Sequence, residues 1–231
     1  MTIAPNRRVF VALDVDDLDE AERLARALGG AVGGFKIGLQ LFGRHGIGAV
    51  ERLAPHGDIF LDLKFHDIPN TVGGAAASVA QLGVRWFTVH ATGGVRMMRR
   101  AVEARGNAGV LAVTVLTSHS EEELDEIGLA GPCDAAVLRL AELARTAGVQ
   151  GAVCSPLEVA AVRQRFPEAT LMVPGIRPAA TVVGGDDQSR VATPASAVRD
   201  GADLLVIGRP ITRAEDPRAA ALAIADELDR T

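Results

Sequence analysis

Cysteine is scarce in this chain: Cys133 and Cys154 are the two among 231 residues, and neither belongs to a CxxC pair. That excludes a disulfide framework and suits a protein of the reducing cytoplasm, with both thiols in ordinary packing. No apolar run reaches the roughly 18 uncharged residues that a membrane span needs. The opening stretch, MTIAPNRRVFVALDVDD, has its apolar run broken by Asp14 and lacks a small-residue cleavage site, so a signal peptide is not expected. Linkers, low-complexity tracts and internal repeats are also missing, and residues 1–231 read as one domain. So is any surplus of positive charge. A net charge of −5 argues against broad nucleic-acid binding, although a local basic cluster can still grip a phosphate. The most informative shortage is lysine. Of 24 basic residues only Lys36 and Lys64 are lysine. Arginine replaces lysine as a surface charge but not as a compact proton donor with an accessible pKa. The two lysines are therefore candidates for a single site.

What is present fits a folded protein: 48% hydrophobic and 23% charged residues give a core and argue against disorder. Short β-branched or apolar runs alternate with longer segments rich in Ala, Leu, Arg and Glu. Strands are expected at 9–15, 34–38, 59–65, 86–90, 110–116, 151–153, 170–173 and 204–207. Helices are expected at 17–28, 39–54, 70–82, 94–105, 133–147, 156–165, 194–200 and 217–228. Such alternation implies parallel βαβ units, and eight of them in this length is the arithmetic of a (β/α)8 TIM barrel. A doubly wound open sheet usually has fewer units and a glycine-rich turn after its first strand, where this chain has ALDVDD. The acidic stretch SHSEEELDEIGL, residues 118–129, reads as a solvated face or a loop over the pocket; Trp86 and the Met97–Met98 pair read as core.

In a TIM barrel the chemistry gathers at the C-terminal ends of the strands. There the sequence offers Asp14, Lys36, Asp62 with Lys64, His90, Thr117 with Ser118, Cys154 with Ser155, Pro174 to Arg177, and Gly208 with Arg209. Strand ends meet solvent and are often polar for that reason alone, but charges inside a strand need another cause. In FLDLKFHDIPNTV side chains alternate, so Leu61, Leu63 and Phe65 point one way and Asp62 and Lys64 the other. If the leucines face the helices, the two charges enter the barrel mouth. A plain buried ion pair is one reading. The other adds Asp67, three residues on, and Lys36 from the neighbouring strand, to give an alternating Lys–Asp–Lys–Asp array. Flanking carboxylates favour protonated lysine, which suits a general acid and not a Schiff-base nucleophile. Gly208 and Arg209 follow the eighth strand, where TIM barrels frequently bind phosphate. Glycine admits a close backbone N–H and arginine binds the dianion through two hydrogen bonds. The loop at 174–194, with Arg177, Gly184, Gly185 and Gln188, is long enough for a lid, though its glycines also fit an ordinary surface loop.

DLKFHDIPNTV, taken with ALDV at Asp14, FKIGLQLF at Lys36, VLTS at Thr117 and Ser118, PGIR, DQSR and VIGRPIT, resembles the orotidine 5′-phosphate decarboxylases of bacterial type. The matches keep that family's order from residue 9 to residue 217. The resemblance implies a cytoplasmic homodimer that converts orotidine 5′-phosphate to UMP and CO2 with no metal or organic cofactor. Asp14 and Lys36 would contact the ribose hydroxyls, and Lys36 would also join the charged array. Asp62 would lie beside the substrate carboxylate and Lys64 would deliver a proton to C6. Asp67, Ile68 and Thr71 would reach across into the partner's site. Thr117 and Ser118 would meet the pyrimidine, Pro174 would line the pocket, and Arg177, Gln188, Gly208 and Arg209 would surround the phosphate. His66 would orient its loop, and Asn70 carries no chemistry. One rival is a metal-dependent sugar-phosphate decarboxylase or aldolase on a similar DxKxxD strand, which needs further oxygen ligands for Mg²⁺ that the strand exits do not supply. Another is a catalytically silent protein that binds a phosphate metabolite, against which the intact charged array argues.

Overall fold

The computed structural model of the chain describes residues 3–129, 131–178 and 191–230. Its eight strands are β1 Val9–Ala12, β2 Gly34–Gly38, β3 Asp58–Phe65, β4 Trp86–His90, β5 Gly109–Val113, β6 Gly151–Val153, β7 Thr170–Val173 and β8 Leu204–Ile207. They pair in chain order, all parallel, and β8 returns to β1 to close a barrel. Around it run α1 Leu18–Leu28, α2 Leu39–His45, α3 Ile47–Leu53, α4 Pro69–Ala80, α5 Gly94–Ala104, α6 Glu121–Glu126, α7 Cys133–Ala147, α8 Val159–Arg165, α9 Pro194–Arg199, α10 Arg209–Thr212 and α11 Pro217–Asp229. This is the TIM barrel expected from the sequence. Among the described residues no helix is long and apolar enough to cross a membrane.

The alternation of side chains divides the core into two shells. On β1, Val9 and Val11 face the helices while Phe10 and Ala12 face the axis. Phe60, Trp86, Leu111, Met172, Leu204 and Val206 join them on the axis. Phe10 and Phe60 meet edge to face, with centroids 6.4 Å apart. These rings fit because glycine stands opposite. A Cβ on Gly109 would fall 2.0 Å from Trp86 Cζ3, and one on Gly34 would fall 2.7 Å from Phe10 Cε1. The outer shell takes the apolar stripe of each helix: α1 buries Ala21, Ala25 and Leu28, one face at helical spacing. That helix starts where Asp17 accepts hydrogen bonds from the backbone N–H groups of Asp19 and Glu20, a cap worth about 1 kcal/mol. Trp86, Met97 and Met98 are buried, as read from the sequence.

Differences from the sequence reading have local causes. β1 and β5 end three residues earlier than expected, because the chain leaves the ladder there and carries Asp14 and Leu116 into the loops above the barrel. The helix expected at 39–54 is two helices, broken at Gly46, whose φ of 55° lies in the left-handed region. The helix expected from residue 156 begins only at Val159. Ahead of it Glu158 folds back to accept hydrogen bonds from both the backbone N–H and the hydroxyl of Ser155. The acidic stretch forms α6, opened by a reciprocal cap between Ser120 and Glu123, with Leu124 buried and its glutamates in solvent.

Candidate active site

A cavity of about 650 Å³ opens at the C-terminal end of the barrel. Ala12, Phe60 and Val206 belong to the axial stack and also line this cavity, so its base is apolar. Its polar wall is assembled from strand exits. Asp14 follows β1, Lys36 sits in β2, and Asp62 and Lys64 sit in β3. Thr117 follows β5, Pro174 and Arg177 follow β7, and Gly208 and Arg209 follow β8.

β3 turns two charges inward in the way the alternation predicts. Phe60 lies on the axis, Leu61 is buried among the helices and Leu63 packs against that outer shell. Asp62 and Lys64 therefore face the cavity, with Lys64 Nζ 2.8 Å from Asp62 Oδ2. The strand is not regular there. Against β4, Leu61 pairs with Phe87, yet the next registered pair is Phe65 with Val89. The chain bulges between them, and Lys64 has φ of 53°, the one positive φ outside glycine among the described residues. A side chain in that region costs about 1 kcal/mol. The strain is held by a contact that sequence reasoning missed. The Lys64 backbone N–H donates to Thr88 Oγ1 at 2.8 Å, and the Thr88 hydroxyl donates to Asp62 Oδ1 at 2.9 Å. A signal for Thr88 was present, since it lies two residues from Trp86 in β4 and so shares its inward face.

Lys36 makes the second ion pair, its Nζ 2.8 Å from Asp14 Oδ1. Gly38 gives this pair room, because a Cβ there would stand 2.9 Å from the Lys36 ammonium. Within one chain, then, the charges form Asp14–Lys36 and Asp62–Lys64 pairs and not a continuous alternation through Asp67. Asp67 lies beyond β3, exposed and off the cavity wall, and its carboxylate accepts from the Ile68 N–H. Ile68 is 66% exposed, and Thr71 in the first turn of α4 is exposed as well. Ser118 is exposed outside the cavity lining, next to Thr117, which lines it. Gln188 lies outside the described residues.

Two other groups bear on the chemistry. Burial pushes the Cys154 thiol up to about 12, with Glu158 adding to the shift, so it stays protonated and unsuited to nucleophilic attack. His90, at the end of β4, packs against His66 with the rings tilted and their centroids 5.6 Å apart. Burial, then His66 and then Lys64, lower its pKa below the ordinary 6.5, which favours the neutral imidazole beside the lysine. Arg177 is buried, and its backbone N–H ties to the Ala192 carbonyl through a short bridge between the two sides of the β7 loop. Gly208 follows the last residue of β8 and immediately precedes α10, which begins at Arg209. Among the described residues, no three His, Cys, Asp or Glu side chains are gathered so as to hold a metal ion.

Residues 7–224 match the model of the family described as Orotidine 5′-phosphate decarboxylase / HUMPS. The chain is 55% identical over 227 residues to an orotidine 5′-phosphate decarboxylase of Anaeromyxobacter dehalogenans, covering 97% of this chain and 99% of that protein. It is 53% identical over 234 residues to one of Halorhodospira halophila, covering 99% and 98%. The crystal structure of orotidine 5′-phosphate decarboxylase from Lactobacillus acidophilus superposes with a TM-score of 0.85 at 38% identity, over 96% of this chain and 99% of that one.

Proposed function

The chain belongs to the orotidine 5′-phosphate decarboxylase / HUMPS family, and from that premise we infer that it decarboxylates orotidine 5′-phosphate to UMP in pyrimidine biosynthesis. The observation that carries the reading is the Asp62–Lys64 pair turned into the cavity from a bulged strand.

The reaction breaks the bond between C6 and its carboxylate carbon. CO2 departs, and the electron pair stays on C6 in the plane of the ring, where the π system cannot absorb it. The Lys64 ammonium stabilises that pair by its charge and then donates a proton to C6, leaving UMP and a neutral amine that recovers its proton from water. Asp62 sits beside the substrate carboxylate and opposes it, favouring departure. Repulsion of this kind contributes alongside the preorganised ammonium, which needs no reorientation as charge develops. Asp14 and Lys36 hold the ribose hydroxyls, Thr117 and Ser118 meet the pyrimidine, and Pro174 lines the pocket. Arg177, Gln188, Gly208 and Arg209 take the phosphate, whose binding energy serves the chemistry at the other end of the substrate. No metal or organic cofactor enters this scheme. The active form is a cytoplasmic homodimer in which Asp67, Ile68 and Thr71 complete the partner's site. Their exposure outside their own cavity supports that reading.

The direct test is incubation with orotidine 5′-phosphate in excess chelator, following the loss of orotate absorbance. Turnover undiminished by EDTA is expected. No turnover, or turnover abolished by chelation, returns the chain to the metal-dependent sugar-phosphate reading. Arg209→Ala should lower kcat/KM by about two decades, since losing charge-assisted hydrogen bonds to a dianion costs roughly 3 kcal/mol. A normal kcat/KM in that variant removes Arg209 from the phosphate site.

A further inference from the structure

Thr88 is wholly buried beneath the cavity, and its hydroxyl bonds both members of the pair above it. We propose that Thr88 is a positioning residue for the decarboxylation: its single hydroxyl fixes the Asp62 carboxylate and the Lys64 backbone together, and so sets the angle at which the ammonium enters the cavity. The proposal rests on the decarboxylase reading above.

The direction of the hydrogen bonds follows from chemistry. A backbone N–H can only donate, so the Lys64 amide occupies a lone pair of Thr88 Oγ1. The hydroxyl proton is then left for Asp62 Oδ1, which can only accept when ionised. Asp62 Oδ2 receives the Lys64 ammonium. Both carboxylate oxygens are thereby held, and rotating the group breaks one bond or the other. The Lys64 amide depends on the same hydroxyl, because the register with β4 breaks between Leu61 and Phe65. One oxygen thus stands where two ladder positions would, and the left-handed backbone of Lys64 rests on it. Valine has nearly the shape of threonine and lacks the hydroxyl, so Thr88→Val would remove one hydrogen bond from the half-buried Asp62 carboxylate and one from the Lys64 amide with the packing preserved.

The test compares Thr88→Val and Thr88→Ser with the wild-type protein, measuring kcat and KM for orotidine 5′-phosphate and the Kd of UMP. A misplacement of about 1 Å can cost ~100-fold in rate. Thr88→Val is expected to lose about 30- to 100-fold in kcat, with KM and UMP affinity within about 3-fold. Thr88→Ser, which keeps the oxygen, should recover most of the wild-type kcat. Wild-type kcat in Thr88→Val overturns the proposal, as does an equal loss in Thr88→Ser or a loss confined to KM and UMP binding. Should Thr88→Val not fold by circular dichroism, Thr88→Ala against Thr88→Ser makes the same comparison. An inactive wild-type protein sinks the decarboxylase reading and this proposal with it; an active wild type beside an unaffected Thr88→Val sinks the proposal alone.

Discussion

Lys64→Ala is expected to bind UMP nearly as the wild type does and to turn over essentially no orotidine 5′-phosphate. Two losses combine. An ammonium about 4 Å from a developing carbanion, at an effective dielectric near 20, contributes roughly 4 kcal/mol, or about three decades in rate. In the proposed mechanism the same group is the proton donor, and general acid catalysis adds about two to four decades more. Together they predict a fall in kcat of at least about 10⁵-fold. Product binding should survive, because UMP carries neither the leaving carboxylate nor the carbanion. The fold should survive as well. Alanine keeps the Cβ of lysine, so the left-handed backbone at this position is no more strained than before, and the variant's Tm should stay close to wild type. Single-turnover assays with the variant in excess over substrate measure the residual rate. Full activity would remove the proton-donor role from Lys64 and with it the mechanism proposed here.

Mixing two dead proteins should produce a live one. Asp67→Ala dimers and Lys64→Ala dimers should each be inactive alone, because each lesion touches every site. If Asp67 serves the partner's cavity, a mixed dimer carries one site with both lesions and one with neither. Random exchange at equal concentrations makes about half of the dimers mixed, and restores about a quarter of wild-type activity. The structural basis is the position of the loop after β3. Asp67 and Ile68 stand in solvent, off the wall of their own cavity, and among the described residues the Asp67 carboxylate accepts a hydrogen bond from the adjacent N–H of Ile68. An exposed isoleucine beside an exposed aspartate suits a surface that another subunit covers. Subunit exchange confirmed by mass spectrometry without any return of activity would assign Asp67 to its own chain.

Local signals carried most of the fold. Strands such as Trp86–His90 and Thr170–Val173 coincide with β-branched or apolar runs, and their limits were readable to the residue. The boundaries that slipped are those set by tertiary geometry. Nothing in VALDV says that the ladder stops at Ala12, because the last registered pair, Ala12 with Lys36, is set by the neighbouring strand and not by the chain's own propensity. The site followed the same rule. Asp62 and Lys64 were legible because charge inside a strand is costly and alternation gives its direction. The pairing of Lys36 with Asp14 was not legible, since two strands meet there and the choice among Asp14, Asp62 and Asp67 depends on distances that no spacing encodes. Thr88 was legible as an inward-facing residue, but its role was not. A threonine in a strand is ordinary on propensity grounds, and only the bulge opposite gives its hydroxyl two partners.

The aromatic stack on the axis has a further effect on traffic. Among the described residues Phe10, Phe60 and Trp86 fill the barrel axis below the cavity, which leaves the C-terminal mouth as the doorway for what enters and leaves. Gas and nucleotide therefore share one route. In the proposed scheme CO2, small and uncharged, slips past a nucleotide anchored by its phosphate, whereas UMP waits until that anchor lets go. On the proposed scheme that order follows from the plugged axis and the phosphate anchor together, and release of the nucleotide is expected to be the slower departure.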